Sequence, residues 1–173
     1  NNPMGTIKLL EFVGMDTMNY WISSKLDALK AVLRRVDAIL INEGEAKMLT
    51  GKSNAIAAAE AIANMGPSVV VVKRGEYGFV LFYKESFFIL PAFPISEVID
   101  PTGAGDTFAG GFFGYLAKYG FSGEKAALKN AAVHGCLLAS YTVQDFGVKG
   151  IAKVTPEMLE KRHLQYSEIV TFS

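Results

Sequence analysis

Two short runs without a polar residue constrain this chain most: AILI at positions 38–41 and VVVV at positions 69–72. A strand with one wet face alternates apolar and polar residues. A continuous β-branched run belongs to a strand covered on both faces. Between the runs, residues 43–50 and the alanine-rich 55–65 carry helical patterning, closed by Gly51 as a C-terminal cap and by Gly66-Pro67. Buried strands alternating with helices specify an α/β domain, with a mostly parallel sheet and helices on both faces. The pattern extends outward. Residues 7–14 read as another buried strand, ending near Asp16, and residues 23–36 as a helix. Residues 78–83 and 86–90 flank Lys84-Glu85 as a hairpin. Helices are predicted over 105–119 and over 123–141, with Ser122 capping the second, and Thr155-Pro156 opens a last one. No linker, repeat or low-complexity segment divides the 173 residues, so 1–173 reads as a single domain.

Charge and composition exclude several classes of function. Lys+Arg and Asp+Glu stand at 17 each, so the basic excess of a sequence-independent nucleic-acid binder is missing. The longest apolar runs are far too short to cross a bilayer, and the start NNPMGTIK lacks a signal peptide's basic and apolar regions. A single cysteine, Cys136, rules out an intrachain disulfide framework and suits a reducing cytoplasm. The expectation is a cytoplasmic protein that acts on small molecules, with neither nucleic acid nor membrane as partner.

In parallel sheets of this kind, ligands sit beyond the carboxyl ends of the strands. Here those ends carry Asp16, Asn42 and Lys73, and Asp100 follows the segment 97–99. Directly after Asp100 comes the stretch PTGAGDTFAGG, in which two glycines and an acid open a small-residue helix. The first N–H groups of a helix have no internal partner and lie at the positive end of its dipole. Gly103, Ala104 and Gly105 expose those amides to a phosphate. Asp106 beside them is a poor phosphate ligand but a reasonable general base for a hydroxyl that attacks phosphorus. A tight turn followed by an N-terminal helix acid accounts for the same four residues without chemistry. Two other motifs fail. Thr50-Gly51-Lys52-Ser53 ends like a Walker A loop, but Ala46 stands where that loop needs glycine. Gly103-Ala104-Gly105 begins like a dinucleotide fingerprint, whose last glycine would fall on Phe108.

The string DPTGAGDTFAGGF is similar to the second signature of the ribokinase (PfkB) family of carbohydrate and nucleoside kinases. Three further segments agree in order: INEGEAKMLTG from Ile41, VVVKRGEYG from Val70, and NAAVHGCLLASYTVQDFG from Asn130. The resemblance implies a ribokinase-like, Rossmann-like fold and ATP-dependent transfer of the γ-phosphate to a hydroxyl of a sugar or nucleoside. It implies Asp106 as catalytic base, with Gly103, Ala104 and Gly105 as the anion hole. Asn42 and Glu45 would hold Mg²⁺ through water, although as residues three apart at a helix start they also read as a capping box. Lys73, Gly75 and Gly78 would line the nucleotide, the two glycines being equally at home in a hairpin turn. Asn130 would lie near the base or ribose, and is otherwise a polar position on a helix. Asp100 and Thr102 would help bind a monovalent cation, as in some family members; Asp100 is also a natural turn residue.

Two departures accompany the match. Asp16-Thr17-Met18-Asn19 stands where many sugar kinases of the family show D-P-N-x-R, and the arginine is absent. The family's N-terminal half, with its substrate-binding acid, Gly-Gly segment and lid strands, has no counterpart here. The expectation is therefore the C-terminal portion of a larger kinase. A non-catalytic nucleotide-binding fragment or module is the alternative. Sheet edges and apolar faces left uncovered would favour a homo-oligomer.

Overall fold

The computed structural model describes residues 12–121 and 123–171. Its centre is a five-stranded sheet in the order β1 (Gly14–Asp16), β2 (Ala38–Asn42), β3 (Val69–Lys73), β4 (Phe79–Tyr83) and β5 (Ser86–Leu90). β1, β2 and β3 pair in parallel, with Asp16 opposite Leu40 and Asn42 opposite Lys73. β4 returns antiparallel to β3, and β5 antiparallel to β4. Four strands thus point one way and β4 opposes them. The parallel core and the hairpin are both those expected. The hairpin turns on Lys84 and Glu85, whose φ angles of 48° and 57° give the two positive values of a tight two-residue turn.

The two apolar runs become β2 and β3, and alternate residues serve opposite faces. Ile39, Ile41, Val70 and Val72 point into a core with α2 (Leu26–Leu33), α3 (Glu43–Thr50) and α4 (Ala55–Ala63). Ala38, Leu40, Val69 and Val71 face α5 (Ala104–Tyr119) and α6 (Lys125–Thr142). All eight have no exposed surface. α5 and α6 run antiparallel and approach at two glycines. A β-carbon on Gly111 would lie 2.8 Å from the Gly135 Cα, and one on Gly135 would lie 2.5 Å from the Phe108 carbonyl oxygen. After the short α7 (Lys149–Ala152), α8 (Pro156–Val170) starts on the Thr155 cap and docks through the Tyr166 hydroxyl, which donates to the Pro91 carbonyl.

Two expectations change, and a third falls largely outside the described residues. The helix over 23–36 is two helices, α1 (Asn19–Ser24) and α2, broken at Lys25. The Ser23 hydroxyl bonds back to the Asn19 and Tyr20 carbonyls, and such back-bonding competes with helix continuation. The strand over 7–14 lies largely outside the described residues; its described neighbour β1 is short. Ser122 also lies outside them, and Glu124 occupies the N-cap of α6 without a side-chain bond.

Candidate active site

β1, β2 and β3 end side by side, and their last residues meet. The Lys73 ammonium lies 2.5 Å from Asp16 Oδ2, bridging β3 to β1 over the end of β2. Asn42 caps α3: its Oδ1 accepts the Glu45 N–H at 2.8 Å, and Glu45 Oε2 accepts the Asn42 N–H at 3.3 Å. The capping box is therefore real. It also draws the Glu45 side chain inward, to 6% exposure. Burial holds its carboxyl above the ordinary range, against the pull of the Asn42 N–H and the nearby Lys73 charge. Next to Lys73, Arg74 turns away to Glu43 at 3.0 Å. Glu43 also takes Lys47 at 2.9 Å, and these two cations hold its carboxyl below the usual range.

The glycine turn arrives from the other face of the sheet. Gly103 takes φ 81°, a left-handed conformation that favours glycine, and N-caps α5 with no side-chain cap. The Ala104 N–H is engaged by the Pro101 carbonyl at 3.2 Å, so Ala104 contributes its small side chain rather than a free donor. Among the described residues, no acceptor meets the N–H of Gly103, Gly105 or Asp106. Asp106 is exposed in the first turn. A β-carbon on Gly105 would stand 3.4 Å from Lys73 Nζ, so this helix end and the strand ends form one site.

The remaining expected residues sit around it. Gly75 (φ 58°) opens a 3₁₀ turn, Gly75–Tyr77, that directly follows Lys73-Arg74, with open space where a side chain would be. Gly78 (φ 85°) is demanded by the hairpin, since a β-carbon there would collide with the Leu90 carbonyl at 2.0 Å. Asp100 Oδ1 accepts the Thr102 N–H at 2.9 Å, and this bond lowers its carboxyl pKa, with Gly147 close by. Asn130 is not gathered in. It is exposed on α6, more than three turns or roughly 18 Å of helix before Thr142, whose hydroxyl meets that of Thr107 at 2.9 Å. Asp16 is the residue that sequence reasoning placed at a strand end and gave no role; an acid ending a parallel strand was the available signal. A separate cavity of about 410 Å³ beside α5 is lined by Gly110, Gly114, His134 and Leu138. It shares α5 with the site but none of its charged groups. Burial, then Lys118 and His163, keep the His134 pKa low.

The sequence pattern of the pfkB family of carbohydrate kinases matches residues 8–153. The chain belongs to this family. A cytidine kinase of Thermococcus kodakarensis is 47% identical over 88 residues, which are 50% of this chain and 31% of that protein. The fold is that of aminoimidazole riboside kinase from Salmonella enterica, solved with aminoimidazole riboside and an ATP analogue. The TM-score is 0.75 at 22% identity, over 88% of this chain and 52% of that one. A fructokinase variant of Vibrio cholerae, solved with fructose, ADP and potassium, aligns at TM-score 0.75 and 23% identity, over 87% of this chain and 49% of that one. The pfkB-family chain thus spans about half the length of these solved kinases, and less than a third of the cytidine kinase. Its mixed sheet is a truncated form of their fold. Among the described residues, no helix is long and apolar enough to cross a membrane.

Proposed function

We propose that this chain carries the phosphate-handling end of an ATP-dependent kinase that phosphorylates a hydroxyl of a sugar or nucleoside. The observation that carries the reading is the approach of the Lys73 ammonium to the first turn of α5, where the Gly105 and Asp106 amides are free. A cation beside free amides suits a phosphoryl group, whose charge it stabilises during transfer. Asp106, exposed in the same turn, takes the proton of the acceptor hydroxyl. In this reading Gly75 and Gly78 let the loop after Lys73 lie close to the nucleotide, and the family resemblance assigns the exposed Asn130 to the base or ribose, away from the phosphates.

Asn42 and Glu45 fit a hydrated cation better than a bare one. Among the described residues no cluster of three or more His, Cys, Asp or Glu exists to strip the ion. Magnesium keeps most of its waters, and those waters can reach one buried carboxylate and one amide. When bound, the ion neutralises phosphate charge. Asp100 with Thr102 offers a carboxylate already held ionised for a monovalent cation. Sugar or nucleoside substrate, cytoplasmic location and these ions all belong to this reading.

The half-length match favours a second statement about the chain by itself: it holds nucleotide but transfers no phosphate. Orientation of the acceptor is worth about 7–11 kcal/mol of barrier, and the residues that would supply it are not among those assembled here. Calorimetry with ADP and ATP, then a coupled ADP-release assay over a panel of sugars and nucleosides, checks both parts. Weak nucleotide binding without acceptor-dependent turnover is expected. Robust turnover by the purified chain overturns the second statement, and a folded chain without nucleotide affinity overturns the phosphate site.

A further inference from the structure

The Lys73 ammonium occupies an unfavourable place for a cation. It stands beside the first turn of α5, 3.4 Å from where a Gly105 β-carbon would be. A helix N-terminus is positive and disfavours a positive neighbour. Its own free amides, those of Gly105 and Asp106, add donors at the same spot. What keeps the lysine there is Asp16, 2.5 Å away through Oδ2. Asp16 is itself fixed, because its Oδ1 accepts the Thr17 N–H at 2.8 Å. Without it, a lysine on a flexible four-carbon stem would swing into solvent. The ammonium has three donors. One carboxylate oxygen engages one of them and leaves two for an anion.

We infer that Asp16 is a positioning residue for phosphate binding: it orders the Lys73 ammonium over the open first turn of α5, so that a nucleotide phosphate meets a fixed cation beside free amides. The inference rests on the phosphate-site reading above. Asp16 stays bonded to Lys73 when phosphate arrives, since the Thr17 amide prevents its carboxylate from turning away.

Calorimetric titration of the chain with ADP tests this in wild type, Asp16→Asn, Asp16→Glu, Lys73→Met and the Asp16→Asn/Lys73→Met double variant. Ordering one rotamer-rich side chain in advance corresponds to about two- to tenfold in affinity, so Asp16→Asn weakens ADP by that factor. Asp16→Glu restores part of the loss, and Asp16→Asn has no further effect once Lys73 is Met. In ¹⁵N spectra of the lysine ammonium groups, the Lys73 signal shifts with ADP in wild type and is lost from its bonded position in Asp16→Asn. Unchanged or tighter ADP binding by a folded Asp16→Asn overturns the inference, as does an equal loss in both Lys73 backgrounds. Should Asp16→Asn fail to fold, the wild-type spectrum decides: a Lys73 signal indifferent to ADP overturns it. A folded wild type that binds no ADP overturns the phosphate site along with it, whereas wild-type binding with indifferent variants overturns the positioning role alone.

Discussion

Asp106 and Glu45 are both acids near a helix start, and their surroundings set them apart. Asp106 is exposed and keeps its carboxylate clear of side-chain partners among the described residues. In the complete kinase, Asp106→Asn is expected to lower turnover by about two to four orders of magnitude while nucleotide affinity holds, because the amide keeps the shape but accepts no proton. Single-turnover kinetics beside an ADP titration separates the two. Glu45 is buried, and burial raises its pKa. The folded chain therefore holds that proton more readily than the unfolded chain. Its contribution to stability falls as pH rises from the ordinary carboxyl range, near pH 4, through the raised value. Glu45→Gln removes that fall and keeps the capping box, since glutamine serves the same N3 position. Thermal melts across pH should show the variant gaining on wild type as pH rises. Its nucleotide binding should need more Mg²⁺. An unchanged Mg²⁺ response with lowered stability would leave Glu45 as a helix cap alone.

Helix α5 carries the glycine turn, so whatever fixes α5 fixes the site. α6 does this by backbone approach at Gly111 and Gly135 and by the Thr107–Thr142 hydroxyl pair. Gly135→Ala pushes a β-carbon onto the Phe108 carbonyl and should destabilise by about 1–3 kcal/mol in urea denaturation. Gly114→Ala, on α5 itself, is the control. Nothing lies within 4 Å of its β-carbon position. Helix propensity should stabilise that variant by up to about 1 kcal/mol. Equal effects of the two would mean that the close approach is not what holds α5.

At the scale of the molecule, β1 is the edge of the sheet among the described residues, pairing there with β2 on one side. Beside it Met18, which caps α1, and Tyr20 and Trp21 on α1 are each near half exposed. An unpaired strand edge next to exposed aromatic surface promotes association. Sedimentation velocity should show concentration-dependent self-association, reduced by a Tyr20→Ser/Trp21→Ser variant. A chain monomeric at all concentrations, or association indifferent to these substitutions, would place no weight on this edge.

Features under short-range control were legible in the order of residues alone. Continuous apolar runs required β2 and β3 to be buried on both faces. Gly51 terminated α3 in the left-handed conformation, at φ 69°, because the cap lies beside the helix it closes. Asn42 and Glu45, three residues apart, formed their box, and Gly103 to Asp106 opened α5, since each needs only its own turn of chain. Contacts between distant segments came from the packing of the whole fold. The Asp16–Lys73 pair spans 57 residues and exists because two parallel strands end on either side of β2. The Gly111–Gly135 approach depends on how two helices cross on the sheet. The same packing carried Asn130 away from the phosphate end, along a helix whose periodicity gave its face but not its direction. Local hydrogen bonds and caps are written in neighbouring residues; strand order and helix crossing arise from burial summed over the whole chain, and these assembled the site.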